Sequence, residues 1–507
     1  MGGGPAPAAK DPASAPRDEG DAQHASMRVD AAGVDELGVV PWPIILRRRI
    51  AQRVGLDRRW ASLLVVLTGL FTVSFTITLL AVSLGTIADD LDSSISVVSW
   101  SITGPMLAFG VVGPAYGKAG DLWGHKRVFV LGLLGCGIFA GLTAVAPNAA
   151  SMIAFRILSA SAGAATGPST MAYINRLFRP EERVKPLGYW SLVNAGAPVL
   201  GVVAGAPLID AVGWRVIFAV QAPLCGLGVL IALWLLPDTE RMPGVRFDVP
   251  GSISLGLGAA SLLAGVNQGP RWGWSSPATL ACFVVGVLGI TTFVLVQRRS
   301  VAPLMPLHWF RTRNVVLPIA SQTLTNFAYM GGFLLAPQVL GRLLDYSTER
   351  TAFVVIARPL TFAIVAPLAG YVTIRVGERV SGVVGALLVT SSMVGFVAIR
   401  PDTELLFVVV ALALSGAGVG IAAPALTSLV ANAVDERDLG VAGALQQLMS
   451  QLGAVLGSVV MISVQQAAED SGGLQGSFRP AFTVAAACAA TGALAAVFVR
   501  STPRTVA

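Results

Sequence analysis

The sequence predicts an all-α integral membrane protein with fourteen transmembrane helices, on three observations. Of 507 residues, 54% are apolar and only 12% are charged, about half the roughly 25% that a soluble domain spends on Asp, Glu, Lys and Arg. Mean hydropathy is +0.71. Apolar runs, each near the ~20 residues that cross a bilayer as a helix, begin near Ala61, Ser96, Val128, Ser151, Pro186, Val216, Val249, Pro277, Val315, Ala352, Val380, Leu405, Gly440 and Ala481. So little charge does not cover a water-soluble chain of this length, which excludes soluble globular, disordered and nucleic-acid-binding classes.

The connections between runs set the orientation. With the N-terminus in the cytoplasm, the interior loops and C-terminal tail hold 18 Lys/Arg and 10 Asp/Glu, against 6 and 10 in the exterior loops. Basic residues resist translocation, so both termini are expected inside. The net charge of +7 thus reports topology and not an acidic partner.

Residues 1–59 form a tail without the apolar core of a signal peptide. Its Ala, Gly, Pro and Asp predict disorder. Residues 41–60 interleave Trp42, Ile44, Ile45 and Leu46 with six arginines. This stretch either lies on the anionic inner leaflet or is the basic flank of the first span. Cys136, Cys225, Cys282 and Cys488 all fall inside apolar runs and read as buried thiols. His24, His125 and His308 form no cluster, so no metal or other cofactor is expected. Arg outnumbers Lys by 31 to 4, which with the Ala and Gly excess suggests a GC-rich bacterial genome and a bacterial plasma membrane.

Two connections repeat a pattern. One reads Gly117-Lys-Ala-Gly-Asp121-Leu-Trp-Gly124-His125-Lys126-Arg127, the other Gly370-Tyr-Val-Thr-Ile-Arg375-Val-Gly377-Glu378-Arg379. Each has a glycine, a second glycine seven residues on, basic residues and then an apolar run, on the same side of the membrane. Such pairing suggests two homologous halves.

Further motifs follow. Arg156 stands in the fourth run, followed by Ser159 and Ala160. The fifth carries Gly196-Ala197-Pro198-Val-Leu-Gly201. Trp214-Arg215-Val-Ile-Phe218 leads to Pro223. Late in the chain come Gly416-Ala-Gly418-Val-Gly420 with Pro424, and Gln451-Leu-Gly453 with Gly457. On these residues the chain resembles the major facilitator superfamily, specifically its fourteen-helix drug:proton antiporter branch, over about residues 60–500. The resemblance implies a major facilitator fold: an N-terminal six-helix half (60–237), an inserted helix pair with linkers (238–300), a C-terminal six-helix half (301–500) and a short cytoplasmic tail (501–507). It implies that Gly117, Asp121, Gly124, Lys126 and Arg127 form a conformational gate latching the halves together, with Leu122 and His125 departing from the family pattern. Gly196, Pro198 and Gly201 are a weakened copy of the antiporter motif.

The chemistry of these residues fits those roles. Glycines let helix backbones approach closely, and an acid such as Asp121 is favoured near a helix N-terminus. The alternative is a tight solvated turn with an unpaired Asp; Lys126 and Arg127 also serve as topogenic charges. Pro198 kinks its helix, bending it or sealing a cavity, or else the motif is ordinary small-residue packing.

No Asp or Glu lies in the middle of any predicted run, and only Arg156 and Arg358 are intramembrane charges. Charge at bilayer depth normally faces a cavity and a partner. Arg358 is expected in a cavity; Arg156 faces one too or snorkels to the surface. Thr76 stands where the antiporter branch usually has an acid, and Thr does not titrate. The expectation is therefore a neutral or anionic substrate, or else proton coupling through an edge acid such as Asp121, Asp90 or Asp210. The expected cavity residues are Thr76, Arg156, Asn194, Asn326, Gln338, Arg358, Gln447 and Gln451, with Ser74, Thr78, Trp100, Tyr189, Gln221, Tyr329 and Gln446 as further polar candidates. Any of these would alternatively make interhelical hydrogen bonds.

The expected function is secondary active export of small amphipathic molecules, with protons as the coupling ion, by a monomer in the lipid bilayer that binds no nucleic acid. No Walker A pattern occurs, so ATP drive within the chain is not expected. No acid–base or metal cluster suggests an enzyme. The alternative is a non-transporting lipid sensor or membrane assembly partner.

Overall fold

The computed structural model describes residues 2, 57–82, 84–239, 247–300, 303–435, 438–472 and 474–500. Most of the tail at 1–59 and all of 501–507 lie outside the described residues. Residues 59–507 make one unit, separate from 1–58.

Among the described residues there is no strand. The helices are α1 (Arg58–Thr78), α2 (Leu84–Asp90), α3 (Ile95–Val98), α4 (Trp100–Trp123), α5 (His125–Ala144), α6 (Ala149–Gly163), α7 (Thr166–Leu177), α8 (Val184–Val212) and α9 (Trp214–Leu235). There follow α10 (Val249–Trp272), α11 (Pro277–Arg299), α12 (Arg313–Gln338), α13 (Thr348–Val355), α14 (Ala357–Val376), α15 (Glu378–Ala398), α16 (Leu405–Ala431), α17 (Leu439–Gly472) and α18 (Leu474–Val497). A 3₁₀ turn, Leu79–Val82, follows α1, and a π turn, Val339–Leu343, follows α12.

Among the described residues, eleven segments are long and apolar enough to cross a membrane, against the fourteen expected. The long helices outside that set are α4, α8 and α12, of 24, 29 and 26 residues. α12 lines the central cavity with Gln322, Thr325 and Asn326, and α4 carries two prolines, Lys118 and Asp121, which dilutes the apolar signal used to recognise a span; several side chains of α8 lie outside the described residues.

Local sequence starts the helices where expected. Asn148 and Ser151 form a capping box at the head of α6, which satisfies otherwise orphaned amides. Asp248 caps α10 by accepting from the Gly251 amide at 2.9 Å. The same buried carboxylate accepts from Gln297 of α11 at 2.6 Å and from the Leu304 amide at 3.3 Å, tying α10 and α11 together at one end.

Interior contacts follow small residues, as expected where lipid removes the hydrophobic drive between helices. Gly453 and Gly457, one turn apart on α17, face the carbonyls of Thr323 and Phe327, one turn apart on α12. Gly416 of α16 faces the Arg358 carbonyl of α14, and Gly418 faces that of Gly385 on α15. Two large apolar clusters result. One draws mainly on residues between Leu63 and Leu236, the other on residues between Ala328 and Ala489. A third joins α4, α10, α11, α12 and α17 through Val111, Leu263, Phe293, Ile319 and Leu448.

Candidate functional site

Between these clusters lies a cavity of about 420 Å³, lined from α1, α4, α8, α10, α12, α14, α16 and α17. Six amides reach it: Asn194, Asn267, Gln322, Asn326, Gln447 and Gln451. Its apolar wall is aromatic and flexible, with Phe109, Trp190, Phe333 and Phe362 beside Met106 and Met330. No Asp, Glu, Lys, Arg or His is among the described residues that line it. The described wall therefore offers dipoles and aromatic faces but no formal charge.

The amides are partly engaged with each other. Asn194 Nδ2 of α8 donates to Gln447 Oε1 of α17 at 2.8 Å. Asn326 Nδ2 of α12 donates to the carbonyl and hydroxyl of Ser450 at 2.8 and 3.0 Å. Gln446 donates to Gln322 and, at 2.9 Å, to Thr427. The Thr325 hydroxyl, on the cavity wall, has no hydrogen-bond partner.

Of the residues expected in the cavity, Asn194, Asn326, Gln447 and Gln451 line it; Thr76, Arg156, Gln338 and Arg358 are not among its lining residues. Gln338 is the last residue of α12, half-buried beside the π turn. Arg156 is buried behind the wall and packs over Phe218, 4.9 Å from the ring centre. Its Nη2 donates to the carbonyls of Thr76 and Ile77 at 2.8 and 2.9 Å, and its Nε to that of Ser101 at 3.2 Å. The first two belong to the last turn of α1, where the 3₁₀ turn begins and helix carbonyls lose their partners. Arg156 thus closes the end of α1 with charge-assisted bonds. The Thr76 hydroxyl faces the same network, receiving a 2.9 Å bond from Gln221.

Arg358 differs. It is 1% exposed and lies over the Tyr329 ring at 4.2 Å. Its Nε and Nη2 have no hydrogen-bond partner. It stands one turn before Phe362, which does reach the cavity.

Each of the repeated glycine motifs packs against the start of a helix distant in the chain. Residues 117–123, expected in a loop, are the last turns of α4; one residue, Gly124 at φ 95°, separates them from α5. Gly377, at φ 98°, separates α14 from α15 in the same way. That left-handed region is open to glycine without steric penalty. The first glycine of each motif makes a close approach. A Cβ on Gly117 would lie 2.6 Å from the Gly440 carbonyl oxygen, at the start of α17, and one on Gly370 would lie 2.8 Å from Lys185 Cα, at the start of α8.

Polar groups surround both contacts. Asp121 and His125 are fully buried, with Oδ1 and Nε2 2.9 Å apart. Both border Gly440, while Asp121 Oδ2 and His125 Nδ1 lack partners. Lys118 of α4 pairs with Asp438 at 3.7 Å. Burial foremost, with Asp121 and Asp435 nearby, pushes the Asp438 carboxyl above its ordinary value, partly opposed by Lys118. At the second contact, Arg183 donates to Asn432 at 2.9 Å, and Glu378 accepts from Ser428 at 2.5 Å and from Asn432 at 3.3 Å. Lys126 reaches Asp238 at 3.4 Å, and Arg127 is exposed.

Gly196 and Gly201 are buried within α8; Pro198 lies in the same helix, its side chain outside the described residues. A side chain on Gly205 would meet the Leu79 carbonyl. Asp90 pairs with Arg215 and accepts from Trp214 at 3.1 Å, and Asp210 is exposed at the end of α8.

Sequence reasoning missed Asn267, Gln322 and Thr325 in the cavity, and Lys118, Asp438, Arg183 and Asn432 at the contacts. Asn267 carried a signal: it continues the spacing of Leu255, Ala259 and Leu263. Asp438 carried none, because its partner is 320 positions away.

Residues 64–458 and 316–507 match the model of the Major Facilitator Superfamily. The chain is 32% identical over 409 residues to the tetracenomycin C resistance and export protein of Streptomyces glaucescens, covering 80% of this chain and 75% of that one. It is 30% identical over 420 residues to the puromycin resistance protein pur8 of Streptomyces alboniger, covering 81% and 82%. Its fold is similar to that of the human organic anion transporter MFSD10, with TM-score 0.63, 15% identity and 86% and 100% coverage.

Proposed function

The chain belongs to the Major Facilitator Superfamily, in its drug-efflux branch, and from that premise we propose that it exports uncharged amphipathic molecules by alternating access, linked to protons. It is a multi-pass bacterial membrane transporter of small molecules and not an enzyme. The observation that carries the substrate class is the cavity: its described lining holds amides, hydroxyls, aromatics and methionines and no charged side chain. A lipophilic cation would lose hydration there without gaining a counter-charge, at several kcal/mol. An anion would find neither arginine among the lining residues. An uncharged molecule with a few hydrogen-bonding groups keeps its apolar contacts and its polar ones.

In this proposal α4, α8 and α12 also cross the membrane, giving fourteen spans. Residues 60–237 and 301–500 rock against each other, with the pair at 238–300 inserted between them and both termini in the cytoplasm. The contacts Gly117–Gly440 and Gly370–Lys185 close the cytoplasmic side. The proton acts at this interface, which holds the buried Asp121–His125 pair and Asp438, because the described cavity wall holds no Asp, Glu, Lys, Arg or His. The α8 motif at Gly196, Pro198 and Gly201 allows that helix to bend.

The test is efflux from energised cells lacking other exporters. Nile red, an uncharged aromatic dye, is expected to leave and to stop leaving when a protonophore is added, while ethidium is retained. Ethidium as the better substrate would overturn the uncharged class. Retention of both dyes in cells making the folded protein would overturn export.

A further inference from the structure

We propose that the α10 helix is part of the recognition machinery, and that Asn267 is a specificity-determining residue that donates a hydrogen bond to a carbonyl oxygen of an uncharged substrate. This rests on the export reading above.

The placement follows from helical spacing. Leu255, Ala259, Leu263 and Asn267 are each four residues apart and so share one face of α10. The first three are buried in the cluster that includes Val111 of α4 and Leu445 and Leu448 of α17. The fourth is the polar one, and it reaches the cavity. A stripe that only packed α10 against its neighbours would gain more from a fourth apolar residue, because an amide facing apolar surface loses hydration.

The immediate surroundings prepare Asn267 as a donor. Gln268, 2% exposed, donates from Nε2 to Asn267 Oδ1 at 3.2 Å. The carbonyl of Asn267 is thereby engaged, and its NH₂ group is left to face the cavity. Both ends of the helix are fixed. Asp248 ties the first turn to α11, Arg271 donates to Ser99 at 3.2 Å, and Trp272 packs beside Trp100 with ring centres 6.3 Å apart. A donor on a helix anchored in this way selects by position as well as polarity. Phe109 and Met106 of α4 supply the apolar surface for the body of the same molecule.

The experiment measures efflux of Nile red, whose ring system carries a carbonyl, and of ethidium from cells expressing the full chain. It compares the native protein with Asn267→Leu, Asn267→Asp and Asn194→Asp. Loss of one neutral hydrogen bond weakens binding about fivefold, so Asn267→Leu is expected to raise the half-saturating concentration for Nile red by about that factor. Asn267→Asp puts a carboxylate into an uncharged cavity and is expected to confer ethidium efflux, a gain that misfolding does not produce. Asn194→Asp is expected to do the same from the opposite wall. If it confers ethidium efflux while both Asn267 variants behave as native, the inference falls and the export reading stands. If no version of the protein moves either dye, the export reading falls and takes the inference with it.

Discussion

Asn194 and Gln447 are joined by a 2.8 Å hydrogen bond across the cavity, from α8 to α17. These helices also carry the two close backbone contacts, α8 at Lys185 and α17 at Gly440. A molecule that enters between the two amides replaces their mutual bond with its own. Occupancy is thereby connected to the separation of the helices that must move.

That coupling is measurable as non-additivity. Asn194→Leu and Gln447→Leu each remove one bond to an uncharged substrate together with the mutual bond that the substrate must displace, so each alone is expected to change the half-saturating concentration little. The double variant is expected to raise it about fivefold, the worth of one neutral hydrogen bond, because the mutual bond is lost only once. Fully multiplied effects would show that the amides act separately.

The two glycine contacts predict a matched pair of defects. Gly117→Val and Gly370→Val each insert side-chain atoms against a backbone. Overpacking of this kind costs about 1–3 kcal/mol, enough to reduce the closed population roughly tenfold. Both variants are expected to slow turnover while leaving equilibrium binding of the substrate nearly unchanged. Accessibility of cysteines introduced at each end of the cavity would report which side has opened.

The two buried arginines should separate in a stability measurement. Arg156→Met leaves the carbonyls of Thr76, Ile77 and Ser101 without their donor, which is expected to cost about 3 kcal/mol. Arg358→Met removes a cation whose Nε and Nη2 have no hydrogen-bond partner. A methionine of similar length keeps contact with Tyr329, and the change is expected to be neutral or stabilising. Thermal unfolding in detergent checks the order.

Asp438 predicts a pH effect with a defined sign. Its folded-state carboxyl lies above the ordinary 3.8, with burial as the leading cause. Folding therefore favours the protonated form. The associated stability is fully present below 3.8 and is lost as pH rises through the raised value. Asp438→Asn is expected to gain stability relative to the native protein as pH climbs through that window. A difference that does not change with pH, or changes in the opposite sense, counts against this assignment.

Much of the fold was legible because its determinants are local. Apolar runs located the helices within a few residues, and the seven-residue spacing of Gly117 and Gly124, repeated at Gly370 and Gly377, marked the symmetric turns. The late motif at Gly453 and Gly457 marked a close helix contact. The site was less legible. Residue type alone does not say which face of a helix a polar group occupies. Arg156 and Thr76 have the polarity of cavity residues, yet they serve the broken end of α1, whose location depends on the 3₁₀ turn. The Lys118–Asp438 pair joins residues far apart in sequence and has no local signature.

A cavity with no charged side chain among its described lining residues also determines what an electrode would record of the proposed cycle. A charge crossing a membrane exchanges about 2.3 kcal/mol per 100 mV with the field. An uncharged molecule held among amides and phenyl rings exchanges none. The voltage dependence of such a cycle belongs wholly to the coupling ion. The current measured per molecule released would then equal the number of protons carried, so stoichiometry becomes a directly counted quantity.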